Sequence, residues 1–159
     1  MIYLIWKLVH VLAAIVFLGN IIVGAFWKQY ADRTRDPKII AHTIAGIIRA
    51  DRIFTIPAIV VLLIGGFGAA AAGHLSVLGT GWILWGLALF VISGICFGPI
   101  SRAQRALHAL AQAGTQSGNM DWTSYERVSG TWNVFGIIAT LAPIFAAAIM
   151  ILKPALPAI

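Results

Sequence analysis

Residues 53–101 read IFTIPAIVVLLIGGFGAAAAGHLSVLGTGWILWGLALFVISGICFGPIS, without a single aspartate, glutamate, lysine or arginine. A helix needs about 20 consecutive apolar residues to cross the hydrocarbon core of a bilayer. The stretch contains two such runs, from Ile53 to about Gly73 and from Trp82 to about Ser101, joined by a short uncharged turn. Barrel strands are not expected, because they alternate apolar and polar residues over about 10 positions. We therefore predict two membrane-spanning helices in this stretch.

Two further apolar runs flank these two helices, from Ile2 to Trp27 and from about Thr131 to Leu152. Only 10% of the 159 residues are charged, against about 25% in soluble proteins. We predict an all-α integral membrane protein embedded in the lipid bilayer. Residues 1–159 would form a single four-span domain, folded as an antiparallel four-helix bundle. The single cysteine excludes an internal disulfide and a CxxC metal motif.

The positive charges lie on one side of the predicted bundle. Lys7 and Lys153 fall on the other side, and the remaining nine of the 11 basic residues lie in two long connections: Lys28, Arg33, Arg35, Lys38, Arg49, Arg52, Arg102, Arg105 and Arg127. Since cytoplasmic loops are enriched in lysine and arginine, we predict both termini outside and these connections in the cytoplasm of a bacterial inner membrane. The net charge of +6 then reflects membrane orientation, and no nucleic-acid partner is expected.

Both long connections carry signals of ordered helix. Asp36-Pro37 predicts an N-cap followed by proline at the first helical position. The helix that follows has an apolar stripe, so it either lies on the inner leaflet or extends the second span. A polar stripe from Arg102 to Gln112 predicts a cytoplasmic extension of the third span. Thr123 to Glu126 predicts a capping box that begins the fourth helix.

Small residues predict close contacts between helices. Gly65, Ala69 and Gly73 are four residues apart on the second span, as are Gly94 and Gly98 on the third. This spacing lets helix backbones approach closely. We expect these faces to shape the bundle itself or to join the chain to a homodimer or a larger membrane complex.

His10 is the leading candidate for chemistry, because an ionisable residue within a span is costly and marks a functional site by default. A neutral imidazole ligates haem iron or relays a proton; alternatively, a backbone carbonyl or hydroxyl of a neighbouring helix satisfies the ring. Lys7, one turn earlier, either binds an anionic group such as a propionate or extends to the outer headgroups. His74 is a second haem ligand or an exposed turn residue. Met150 is an axial partner or a packing residue.

Two further polar residues have open roles. Asn20 needs hydrogen-bond partners within the first span and predicts a polar cavity. Asp51 either gates protons or joins Arg49 and Arg52 in a local ion-pair network. The sequence has no Gly-rich phosphate loop, HExxH or Gly-x-Ser-x-Gly motif. With five carboxylates in all, a carboxylate-driven cation transporter is not expected.

Four segments resemble a bacterial family of predicted integral membrane proteins known as domain of unknown function 2269. They are Leu4 to His10, Ala50 to Pro57, Ser93 to Pro99 and Met150 to Pro154. The resemblance covers nearly the whole chain, and Asp-x-x-Phe-Thr-x-Pro is its most specific part. The family pattern often has glutamine and threonine in the second span, where this chain reads Leu-Leu-Ile-Gly from Leu62. That departure implies the loss of a polar site.

The first span, with Trp6-Lys7-x-x-His10, is also similar to that of haem-associated membrane protoporphyrinogen oxidases and, more loosely, of copper-resistance membrane proteins. The oxidase resemblance implies that His10 and Lys7 handle a tetrapyrrole. The leading hypothesis is therefore a membrane protein that binds b-type haem for electron transfer or a tetrapyrrole-linked redox role. If the protein is an enzyme, this hypothesis implies a haem-dependent membrane oxidoreductase. Two alternatives are a cofactor-free structural or assembly subunit of a larger complex and a small-solute transporter.

Overall fold

A computed structural model describes all 159 residues, nearly all of them in helices. In chain order these are α1 (Ile2–Thr34), α2 (Pro37–Ala50), a π-helical turn (Asp51–Thr55), α3 (Ile56–Ala72), α4 (Gly81–Ser117) and α5 (Trp122–Leu152). The α2 helix, the π turn and α3 form one continuous helix, so the chain has four long helices, each apolar enough to cross a membrane. The predicted all-α, four-span architecture is confirmed.

The helices are longer than a bilayer requires. The 36 residues of Pro37–Ala72 extend about 54 Å at 1.5 Å per residue, whereas the hydrocarbon core is about 30 Å thick. Of the two predicted placements for α2, the structure has the extension of the second span. Asp36 caps α2 as predicted, because its carboxylate accepts hydrogen bonds from the backbone N–H of Lys38 (2.8 Å) and Ile39 (3.4 Å).

The cap of α5 differs from the prediction. The helix begins at Trp122, and its cap is Asp121 rather than Thr123, with the Asp121 carboxylate 3.0 Å from the backbone nitrogen of Ser124. A carboxylate is favoured there because it also interacts with the positive end of the helix dipole. Hydrogen bonds from the Ser124 hydroxyl and backbone lower the pKa of Asp121. The cap therefore persists at neutral pH and weakens only as the pH falls through that lowered pKa.

The four long helices form two hairpins that meet at one end only. In the first hairpin α1 packs along α2 and α3, and in the second α4 packs along α5. The hairpins meet where α2 packs on α4 and α1 on α5, whereas α3 contacts neither α4 nor α5. We call this joined end the α2 end; the opposite end, which carries both chain termini, is the termini end. The main buried apolar cluster lies toward the α2 end and includes Ile40, Ile44 and Leu107.

Glycines of α3 hold the first hairpin together. A Cβ built on Gly65 would lie 2.8 Å from the backbone nitrogen of His10, and one on Gly73 would lie 3.1 Å from the Tyr3 ring. These two positions, expected to shape the bundle or to contact a partner, therefore pack within the chain, because α1 already covers them. Gly94 and Gly98 on α4 have no neighbouring heavy atom within 4 Å of a built Cβ.

Candidate functional site

A large cleft opens between the two hairpins at the termini end, where their helices diverge. Its volume is about 610 Å³, and all four long helices line it, mostly with apolar side chains. At its deep end Phe17 of α1 meets Phe90 of α4 edge to face, with ring centroids 5.6 Å apart. The volume falls within the range of about 300–1,000 Å³ that small-molecule and cofactor sites occupy.

His10 lines this cleft and is fixed by one hydrogen bond. Its Nδ1 atom lies 2.8 Å from the backbone carbonyl oxygen of Leu62 on α3. A carbonyl only accepts hydrogen bonds, so Nδ1 carries the hydrogen and Nε2 of the neutral ring keeps a free lone pair. The ring rests on α3 where a glycine allows it: a Cβ on Gly66 would lie 2.9 Å from Nδ1.

Two lysines and one methionine join His10 in the cleft. Lys7 lines it from α1, and Lys153 lines it from the end of α5, with its ammonium 5.1 Å from the centre of the Trp82 ring. Met150 also lines the cleft and lies against Gly86. His74 lies apart from them: it is exposed, in a left-handed conformation with φ 53°, and does not line the cleft. The structure thus groups His10 with Lys7 and leaves His74 outside.

Below the cleft, toward the α2 end, a polar cluster surrounds Asp51. The carboxylate is 8% exposed, and one of its oxygens accepts hydrogen bonds from the Asn20 amide (3.2 Å) and the Thr55 hydroxyl (2.9 Å). The other oxygen accepts a hydrogen bond from the Gln104 amide of α4 at 2.9 Å. Asn20 also donates to Thr55 at 2.8 Å. Asn20 and Asp51, two separate candidates in the sequence, therefore belong to one site.

The ion-pair network expected around Asp51 does not form. Arg49 and Arg52 are exposed, and the two salt bridges of the protein join Lys28 to Asp32 and Arg35 to Glu126. The helix places Asp51 on the bundle side and the arginines on the outside. Asp51 is instead held by neutral donors.

The π turn positions this cluster. It ends just before Pro57, whose missing N–H and ring disfavour regular α-helical bonding at this point; the backbone N–H of Ile56 reaches back to the carbonyl of Asp51, five residues earlier. Both Asp51 and Thr55 point inward from this turn and are buried. π turns are rare and frequently occur at functional sites.

A crevice on the outer surface of the first hairpin is lined by Asn20, one member of this cluster. It has a volume of about 370 Å³ between α1 and α2, and its lining includes Asn20, His42, Thr43, Gly46 and Ala50. Asn20, for which the sequence predicted a polar cavity, is one of the polar residues that line this crevice. It also donates to the Asp51 carboxylate at 3.2 Å, so this residue is the link between the crevice and the cluster.

Sequence reasoning did not single out Lys28 or Gln104, which the structure buries. Lys28 is 1% exposed and contacts Asp32 (2.7 Å), the Ser129 hydroxyl and the face of Trp132. Its signal in the sequence is the i, i+4 spacing to Asp32, a helical ion-pair spacing. The signal for Gln104 is its position among the apolar residues Ile100, Ala103 and Leu107 on one face of α4.

Comparison with known proteins identifies one relationship. The model of a family described as predicted integral membrane protein (DUF2269) matches residues 4–154. No curated protein and no solved structure gives a significant match.

Proposed function

Because the chain belongs to the DUF2269 family of predicted integral membrane proteins, we propose that it works within the bilayer by binding b-type haem in the cleft, for electron transfer or a tetrapyrrole-linked redox role. The observation that carries the proposal is the hydrogen bond from His10 Nδ1 to the Leu62 carbonyl. Metal-binding histidines generally use their second ring nitrogen in this way, which fixes the tautomer and orients the ring. The remaining nitrogen, Nε2, would hold the haem iron.

The cleft fits a flat, apolar molecule that carries negative groups. Its walls are mostly apolar, so they exclude water from the bound group. Lys7 and Lys153 supply two cationic side chains at the termini end, and each is suited to a haem propionate. Met150 lines the same cleft, and its thioether would be a second residue able to hold the iron beside His10.

The residues of the chain have separate tasks in this proposal. Leu62 holds the His10 ring through its carbonyl, and Gly66 leaves room for that ring against α3. Phe17 and Phe90 close the deep end, while the lysines orient the anionic edge toward the termini end. Bound haem supplies one-electron transfer at its iron.

The test is the dithionite-reduced minus oxidised absorption spectrum of the protein purified in mild detergent, before and after haem supplementation. We expect a haem b difference signal in the wild type and in His74→Ala, whose side chain lies outside the cleft. The signal should disappear in His10→Asn. In that variant the asparagine amide can still donate to the Leu62 carbonyl, but the second ring nitrogen is gone.

The asparagine variant separates ligation from packing. If His10 only satisfies the Leu62 carbonyl, His10→Ala should lose stability in detergent while His10→Asn leaves both stability and spectrum unchanged. A wild-type protein that stays colourless after haem supplementation would overturn the proposal. The cofactor-free assembly subunit and the small-solute transporter would then be the functions to test.

A further inference from the structure

We propose that Asp51 is a proton-exchange site: its carboxylate takes up and releases a proton through water in the crevice between α1 and α2. This inference does not depend on haem, since the cluster and the cleft are lined by different residues. The step is Asp51–COO⁻ + H₃O⁺ → Asp51–COOH + H₂O, and the reverse releases the proton. No other reactant is needed.

No cation compensates the buried charge of Asp51. Its partners on α1, the π turn and α4 are Asn20, Thr55 and Gln104, and all three are neutral. The cations on the same and the neighbouring helices are paired or exposed. Lys28 of α1 is paired with Asp32, and the side chains of Arg49, Arg52, Arg102 and Arg105 are exposed. The imidazole of His42, which is exposed on α2, is the titratable group that lines the crevice.

The apolar bundle offers this carboxylate hydrogen bonds but no ion-pair partner, and a proton is the smallest species that can neutralise it. The partners can serve both states of the carboxyl group. A protonated Asp51 donates a hydrogen bond, and both the Thr55 hydroxyl and the Asn20 amide contain an acceptor as well as a donor. Rotation of these groups therefore satisfies the cluster with or without the proton.

The crevice gives water access to this buried group. Its volume of about 370 Å³ is large enough for several water molecules, each of which occupies about 30 Å³ in the liquid. Asn20, His42 and Thr43 supply polar partners for them. Asn20 belongs both to this lining and to the Asp51 cluster, so water in the crevice reaches the hydrogen-bond network directly.

A metal ion is the competing occupant, and the geometry favours the proton. Cations bound by carboxylates and amides need several converging oxygen atoms. Here the Asn20 and Gln104 amides direct their nitrogen atoms, not their oxygens, at Asp51. The experiment therefore includes a cation-competition arm.

The test is a pH titration by infrared difference spectroscopy on the full chain in phosphatidylcholine liposomes. We expect a protonated-carboxyl C=O band that shifts in D₂O. It should be lost in Asp51→Asn and retained in Asp36→Asn, where asparagine still caps α2. Asp51→Glu keeps a carboxyl group and replaces the asparagine variant as the test if that variant does not fold. In Asp51→Glu the band should move in frequency. If no carboxyl band depends on residue 51, the proposal is overturned.

The route by which the proton reaches Asp51 and the identity of the bound ion are tested separately. Filling the crevice in Gly46→Leu should slow the band's response to a pH jump by about tenfold or more, because the leucine displaces crevice water. Gly19→Leu, at a glycine with equal free space but outside the crevice lining, should respond like the wild type. Equal rates in the two variants would overturn the route. A titration midpoint that moves when sodium replaces choline would identify a cation site and overturn the proton assignment.

Discussion

Lys28 illustrates how a charged residue is accommodated in this bundle. Its side chain is almost fully buried, and each contact satisfies part of the ammonium: the carboxylate of Asp32, the hydroxyl of Ser129 and the ring of Trp132. Tyr125 donates to the other oxygen of Asp32 at 2.5 Å. Asp32 belongs to α1 and the remaining partners to α5, so Lys28 ties the two hairpins together.

Replacing Lys28 with methionine should destabilise the protein, because it leaves Asp32 and Ser129 without their cation. We expect a loss of about 2–3 kcal/mol in the free energy of unfolding. This is somewhat below the usual cost of breaking a buried ion pair, because Asp32 is partly exposed and keeps its hydrogen bond from the Tyr125 hydroxyl. Denaturation by SDS in mixed micelles, followed by circular dichroism, measures this. Lys38→Met is the control, since Lys38 is exposed on α2 and its loss should change stability by less than about 0.5 kcal/mol.

At the scale of the element, the pairing of α1 with α3 depends on positions without side chains. The backbone of His10 lies so close to Gly65 that no Cβ fits, and the rings of Trp6 and Tyr3 occupy the corresponding space at Gly68 and Gly73. The same face of α3 therefore holds α1 and carries the carbonyl that orients His10.

Gly65→Ala should force α1 away from α3, because the atoms in its way are backbone and cannot rotate aside. We expect a loss of about 1–3 kcal/mol in stability, as for other overpacked interiors. Gly94→Ala is the matched control within a membrane-spanning helix: with no neighbour within 4 Å, it should be neutral or gain up to about 1 kcal/mol from helix propensity. The same SDS titration compares them, and equal losses would show that α1 does not approach α3 this closely.

At the scale of the whole molecule, the helices of the two hairpins pack together at the α2 end, whereas at the termini end the loop of residues 73–80 links α3 to α4 without contact between these helices. The joined end contains the buried cluster and the contacts of Lys28 and Asp51 with the second hairpin. The open end contains the cleft and the chain termini. Motion that widens the cleft therefore breaks few contacts, while motion at the α2 end breaks many.

Spin-label distances test this difference in rigidity. In a Cys96→Ser background, labels at Leu4 on α1 and Ile151 on α5 report on the termini end, and labels at Gln29 and Gly130 report on the α2 end; all four positions are exposed. We expect a broad distance distribution for the first pair and a narrow one for the second by double electron–electron resonance in liposomes. Equally narrow distributions would show that the termini end is as rigid as the α2 end, contrary to this prediction.

Membrane orientation is a second prediction at this scale. Nine of the 11 basic residues lie at the α2 end or on the turns leading to it, which favours the cytoplasm for that end. An alkaline phosphatase fused after Ile159 should therefore be active in a bacterial host, and a green fluorescent protein fused there should stay dark. The reverse result would place both termini in the cytoplasm.

Local patterns in the sequence determined the four spans and the cap at Asp36, because hydropathy over about 20 residues and the preference for an N-cap act within a short stretch of chain. The same patterns marked His10, Lys7, Asn20 and Asp51 as polar groups that need a reason to lie among apolar ones. Their spacing placed Lys7 near His10 on one face of α1, but no local pattern indicated that Asn20 and Asp51 meet. The same patterns placed the α5 cap at Thr123 rather than at Asp121, two residues earlier.

Only the tertiary structure decided the groupings. Asn20, Asp51 and Gln104 come from three helices, and they meet because each helix has a particular rotation about its axis. The same rotations cover Gly65, leave Gly94 open and separate His74 from His10. A helix in lipid has no hydrophobic force to select its partner face, so close van der Waals packing and buried hydrogen bonds between distant residues make that selection.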